Sequence, residues 1–187
     1  LNVIVGENGC GKTHLLKLAY CLHAAGMPDP RKASSNTAPE PTKAHLQRAY
    51  ADKLVNVFRP EELGRLASRI QGRKRCQIEA HYTAAALKTA ISFATNSKSE
   101  VQVDDAPREW QDRAPVYLPT RELLTIYPNF VAVYENHYLE LEETWRDACV
   151  LLGGALVRGA REKKVAAMLE PLENALAGKV VLEGNGR

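Results

Sequence analysis

Gly6-Glu7-Asn8-Gly9-Cys10-Gly11-Lys12-Thr13 fits the pattern G-x-x-x-x-G-K-[ST]. The apolar run Leu1-Asn2-Val3-Ile4-Val5 precedes it, and an amphipathic helical pattern begins at His14. A strand, a glycine-rich loop and a helix in this order are the context in which the pattern indicates a phosphate-binding loop. We call residues 6–13 the phosphate loop, and we predict that they bind a nucleotide.

The residue types of the phosphate loop suit a triphosphate. Glycines allow the backbone N–H groups to approach the anion closely, and the helix that follows adds the positive end of its dipole. Lys12 is the predicted catalytic residue, because its ammonium would reach the β- and γ-phosphates, and Thr13 is the predicted Mg²⁺ ligand. The residues expected to contact the nucleotide are Gly6, Glu7, Asn8, Gly9, Cys10, Gly11, Lys12, Thr13 and His14.

Composition sets the class of protein. The chain has 187 residues, of which 45% are hydrophobic and 25% charged, as in a globular domain with one sizeable core. We expect neither a membrane span nor a signal peptide. The scattered cysteines predict a reducing, cytoplasmic compartment. The net charge of +3 is too small to indicate nucleic-acid binding, and we interpret the basic groups around Arg73 and Arg161 as solvated helix surfaces.

Periodicity predicts a mixed α/β chain. Two helices are expected first, from His14 to about Gly26 and from Ala44 to Phe58, with a mobile loop over residues 28–43 between them and a short helix after Pro60. Alternation then predicts antiparallel strands and a final short strand, over 77–82, 89–95, 100–103 and 116–118. Helices follow over 121–127, 130–157 and 161–177, with Gly178 at the C′ position and a strand over 179–183.

Leu1–Lys17 resembles the phosphate loop of the ABC-like AAA ATPases, the group that includes chromosome-maintenance, recombination-repair and overcoming-lysogenization-defect proteins. Val116–Glu122 also looks like a Pro-[Ser/Thr]-x-Arg segment of the bacterial members. The resemblance implies an incomplete P-loop NTPase lobe over residues 1–187, with an antiparallel β-subdomain at 77–118 and an inserted helical arm at 120–177. It also implies ATP and Mg²⁺ as ligands, a head-to-tail homodimer in the full-length protein, and a nuclease or DNA partner.

The resemblance also implies motifs that this chain lacks. Val101–Asp105 is broken by glutamine and Val180–Glu183 has no aspartate, so neither is a good Walker B strand. Leu151-Leu152-Gly153-Gly154 lacks the serine of the signature motif, and a helix break is the favoured interpretation. We expect the true motifs beyond Arg187, which makes the chain an N-terminal fragment that hydrolyses little or no ATP alone.

Two alternatives share the phosphate loop. One is a P-loop small-molecule kinase, for which Arg158-Gly159-Ala160-Arg161 is a mild hint of a lid. The other is a module that changes its association with a partner on binding nucleotide, without catalysis. Histidine spacing predicts no metal site, Cys10 is interpreted as a small loop residue, and Arg121 as a structural ion-pair residue.

Overall fold

Helices and one small sheet make up the described part of a computed structural model, which covers residues 3–28, 40–68, 75–119, 127–137, 139–153 and 160–178. The elements are α1 (Lys12–Ala25), α2 (Lys43–Phe58), β1 (Cys76–Ala80), β2 (Thr89–Phe93), β3 (Gln102–Asp105), α3 (Tyr127–Asn136), α4 (Glu143–Leu152) and α5 (Ala160–Leu176). Two short 3₁₀ turns cover Leu63–Leu66 and Ala85–Leu87. The chain divides into two compact units, of which the first takes the residues up to Leu118 together with Glu140–Thr144.

The core of the first unit lies where α1, α2 and the sheet meet. On α2 the buried side chains recur at helical spacing, as the sequence predicts: Leu46, Tyr50, Leu54 and Val57. The last turns of α1 bury a second set: Tyr20, Cys21, Leu22 and Ala25. Both helices join one cluster with Ile91 and Phe93 of β2 and Val103 of β3. Burial of this apolar surface stabilises the unit by about 1.5–3 kcal/mol for each large side chain.

The sheet is antiparallel throughout, with the order β1-β2-β3. Ile78 lies opposite Ile91, which in turn lies opposite Val103, and the register shifts beside Ala90. All five residues of β2, the central strand, are buried. The predicted mixed α/β class and the antiparallel pairing in the middle of the chain are therefore confirmed.

The predicted strand before the phosphate loop is wrong for its described residues. Residues 3–5 form no strand, and Val3 and Val5 are 76% and 87% exposed. Residues 116–118 also form no strand, with Leu118 78% exposed. A strand requires a neighbour for its N–H and C=O groups, and within the described ranges neither segment pairs with one. The described residues thus contain no parallel sheet of the kind expected in a P-loop NTPase lobe.

The second unit contains α3, α5 and most of α4. The single helix predicted for 130–157 is wrong, since α3 ends at Asn136 and α4 begins at Glu143. The ring of Phe130 packs near Trp145, with 6.4 Å between the ring centroids. α5 ends in a Schellman arrangement, in which Gly178 N–H donates to the Glu173 carbonyl at 3.2 Å. Ala177, with φ 50°, therefore occupies the C′ position predicted for Gly178.

Several predictions fall outside the described residues. These are residues 121–126 of the helix predicted for 121–127, most of the loop predicted for 28–43, Arg121, the motif around Arg158 and the strand predicted for 179–183. No helix in the described ranges is both long and apolar enough to cross a membrane. The four cysteines, all of which are described, form no disulfide.

Candidate phosphate-binding site

Two glycines of the phosphate loop adopt left-handed backbone angles. Gly9 has φ 85° and Gly11 has φ 91°, a region that disfavours residues with a Cβ. A Cβ added to either glycine would meet nothing within 4 Å. The backbone angle alone, rather than lack of space, therefore requires glycine at these two positions.

Gly11 is the N-cap of α1, and no side chain caps this helix. The first intrahelical bond runs from Leu15 N–H to the Gly11 carbonyl at 3.0 Å. The amides of Lys12, Thr13 and His14 precede that bond and have no partner within the helix, as at every helix N-terminus. The first turn contains no acidic residue either. The start of α1 thus offers N–H groups and a positive dipole end to an anion.

The start of α2 provides a useful contrast. The side chain of Thr42 caps this helix by accepting a hydrogen bond from His45 N–H at 3.4 Å. Both helices begin with a lysine, Lys12 in α1 and Lys43 in α2. Of these two helix starts, that of α1 has no side-chain acceptor at its cap position and comes after left-handed glycines, whereas that of α2 is capped by Thr42.

The Lys12 ammonium folds back over the phosphate loop. It donates to the carbonyls of Gly6 at 2.8 Å and Glu7 at 2.7 Å, and its Nζ lies 3.7 Å from Cys10 Sγ. No described carboxylate forms an ion pair with it. The ammonium charge is therefore held at the loop by neutral acceptors, which phosphate oxygens could replace.

Gly6 is needed for a different reason from Gly9 and Gly11. A Cβ at Gly6 would come 2.8 Å from Cys10 Sγ. The Cys10 N–H also turns back toward the Glu7 carbonyl, at 3.4 Å. Gly6 thus gives room to the Cys10 side chain. Glu7, Asn8 and Cys10 are all exposed.

Thr13 and His14 lie in the first turn of α1, and both are exposed. The His14 ring lies against Phe58 of α2, with 5.6 Å between the ring centroids. The His14 ring therefore packs on α2, while its backbone N–H stays at the start of α1 without a partner inside the helix. The sequence does not indicate that His14 contacts Phe58, because the two residues lie on different helices.

No protein-family model, curated protein or solved structure matches this chain.

Two lysines of the first unit form ion pairs that sequence reasoning missed. Lys17 of α1 pairs with Glu142, and Lys53 of α2 pairs with Glu143 at 3.1 Å. Both lysine side chains are more than four-fifths buried. These ion pairs hold residues 142–143 against α1 and α2 of the first unit. The adjacent acids Glu142 and Glu143 were the only sequence signal, and they do not identify their partners.

The two candidate motifs outside the loop have structural roles where they are described. Asp105 of β3 pairs with Lys88 at 3.0 Å, and Asp104 accepts a hydrogen bond from Gln102 at 2.7 Å. These carboxylates belong to the antiparallel sheet. Gly153 directly follows α4, and a Cβ there would lie 3.3 Å from the Tyr127 hydroxyl, which fits the expected helix end.

Two observations elsewhere in the described ranges concern metal-binding groups and thiols. No group of three or more His, Cys, Asp or Glu side chains there could hold a metal ion. Burial raises the pKa of the Cys76 and Cys149 thiols, which disfavours the reactive thiolate. Thr13 remains the predicted magnesium ligand, in company with nucleotide phosphates.

Proposed function

We propose that this chain binds ATP with Mg²⁺ through the phosphate loop. The supporting observation is the start of α1, where left-handed Gly9 and Gly11 precede an uncapped helix end and the Lys12 ammonium lies across the loop. Three backbone amides and one ammonium are donors suited to a polyphosphate. Thr13 supplies a hydroxyl next to them for the magnesium ion.

Replacing Lys12 tests the proposal most directly. Hydrogen bonds to charged groups contribute about 1.5–3 kcal/mol each, so Lys12→Ala should weaken ATP binding by about 10- to 150-fold. Binding is measured by titrating the protein into a fluorescent ATP analogue with magnesium present. Lys43→Ala is the matched control, because Lys43 starts a helix whose cap is already filled.

Two results would count against ATP binding at this loop. The first is an affinity for the analogue that is equal in Lys12→Ala and the unsubstituted chain. The second is an equal loss in Lys12→Ala and Lys43→Ala, which would indicate a general charge effect. Circular dichroism of both variants confirms that their helices are retained.

The magnesium role is tested at Thr13. Thr13→Val removes the hydroxyl but keeps the shape, so the gain in ATP affinity on adding magnesium should disappear. Thr13→Ser retains the hydroxyl and should retain the gain. If Thr13→Val responds to magnesium as fully as Thr13→Ser does, the ion is held elsewhere.

We further propose that the chain is part of an ABC-like ATPase lobe whose hydrolytic carboxylate and signature motif come from outside residues 1–187. This part rests on the resemblance of Leu1–Lys17, as do the homodimer and a nuclease or DNA partner, whereas the proposed cytoplasmic location rests on the scattered cysteines. The chain alone should release phosphate from ATP no faster than the buffer does. If the chain alone hydrolysed ATP at the rate of a complete ATPase, and Lys12→Ala abolished this activity, the proposal that these groups come from outside residues 1–187 would be refuted.

The kinase and the nucleotide-gated module remain predictions. Phosphoryl transfer from ATP to a member of a small-molecule panel would favour the kinase. A change in oligomeric state with a non-hydrolysable ATP analogue, absent in Lys12→Ala, would favour the gated module.

A further inference from the structure

The first unit contains a cleft of about 290 Å³ between the C-terminal end of α1, α2 and Glu143. Alanines form an apolar wall: Ala24, Ala25 and Ala49. Charged side chains line another part: Asp52, Lys53 and Glu143. Lys12 and Ala25 are at opposite ends of α1, about 20 Å apart at 1.5 Å per residue, so the cleft is distinct from the phosphate loop.

The positive charge of Lys53 in the cleft is already paired with a carboxylate. The Lys53 ammonium lies 3.1 Å from Glu143 Oε1 and 5.5 Å from the centre of the Tyr20 ring. This side chain is only 15% exposed. An ammonium held by a carboxylate and an aromatic face has little attraction left for an anionic ligand.

The negative charge in the cleft is in excess. Glu143 Oε2 is buried and has no hydrogen-bond partner within the described ranges. Asp52 is exposed and forms no ion pair with another described residue. The C-terminal end of α1 adds the negative end of its dipole, which favours a cation within about one turn.

We propose that this cleft binds a small organic cation, an amine or guanidinium on a short aliphatic stem. The cationic head would lie near Asp52 and Glu143, and the stem would lie against Ala49 and its alanine neighbours. A bare metal ion fits less well, since no described group supplies three metal-binding side chains. The volume lies just below the roughly 300–1,000 Å³ of drug-sized ligand pockets, which suits a small molecule.

Ligand-observed NMR titration with n-butylammonium tests the proposal, with n-butanol as the uncharged probe of similar shape. Saturable binding is expected for the ammonium and none for the alcohol. Asp52→Asn should weaken ammonium binding about two- to fivefold, as expected for an exposed charge. Ala49→Leu should abolish it by filling the apolar wall. Asp112→Asn is the control, because Asp112 is an exposed aspartate outside the cleft.

Three results would overturn the proposal. Equal binding of butanol would mean that the cleft recognises apolar stems alone. Equal affinities in Asp52→Asn and Asp112→Asn would mean that the cation binds elsewhere. No saturable binding of either probe would mean that the cleft holds only water. Butylammonium affinity should be unchanged in Lys12→Ala, which separates this site from the proposed nucleotide site.

Discussion

Gly11→Ala should weaken ATP binding through backbone strain alone. Gly11 has φ 91° and ψ 12°, and a Cβ there would meet nothing within 4 Å. The left-handed conformation costs a residue with a Cβ about 1–2 kcal/mol. If the free loop of the variant relaxes, ATP must restore the strained form, so the affinity should fall about 5- to 30-fold. Gly11→Asn should lose less, because asparagine tolerates this region better than alanine.

Gly6→Ala provides the matched comparison, since its difficulty is steric. A Cβ at Gly6 lies 2.8 Å from Cys10 Sγ, and Cys10→Ala removes that sulfur. In the same fluorescent ATP titration, Cys10→Ala should restore affinity to Gly6→Ala but not to Gly11→Ala. The reasoning is refuted if Gly11→Ala binds as well as the unsubstituted chain, or if Cys10→Ala rescues both variants equally.

Three further predictions concern stability. In Gly64→Ala the new Cβ would lie 2.2 Å from the Thr95 carbonyl oxygen, so urea denaturation should show a loss of about 1–3 kcal/mol or more. Glu143→Gln leaves the Lys53 ammonium without its carboxylate, and because both side chains are slightly exposed, the same assay should show a loss of about 2–3 kcal/mol, below the usual range for fully buried pairs. Burial raises the pKa of Tyr50 above its ordinary value of 10.0 in the folded protein. The neutral phenol therefore stabilises the fold below pH 10, and this contribution to the free energy of unfolding is lost as the pH rises further. Tyr50→Phe should therefore reduce the fall in melting temperature above pH 10, and an unchanged fall would contradict the assignment.

The sequence predicts those parts of the fold that nearby residues determine. α2 follows from its apolar spacing, and its start agrees with Thr42 as a capping residue. β2 and its neighbours follow from alternation and from the turn signal at residues 96–99. In each case the deciding contacts lie within one helical turn or across one hairpin.

Features that depend on distant residues were not predictable. Residues 3–5 read as a strand because of their apolar side chains, yet pairing requires a neighbour that the pattern does not specify. Nothing near Lys17 or Lys53 in the sequence indicates that both are largely buried against carboxylates about 90 or more residues away. Glu142, which pairs with Lys17, lies directly before α4, and periodicity alone does not reveal this contact.

The features of residues 6–13 that support the proposed phosphate loop depend on nearby residues alone. Its left-handed glycines, its uncapped helix start and the fold-back of Lys12 all arise within residues 6–15. The local geometry on which the proposed anion site rests is therefore present, although within the described ranges residues 3–5 have no strand partner. Hydrolysis requires a carboxylate from another segment to meet the same phosphate, which is a distant contact. ATP affinity and ATP turnover should consequently separate in this chain, with affinity set by residues 6–15 and turnover requiring groups beyond them.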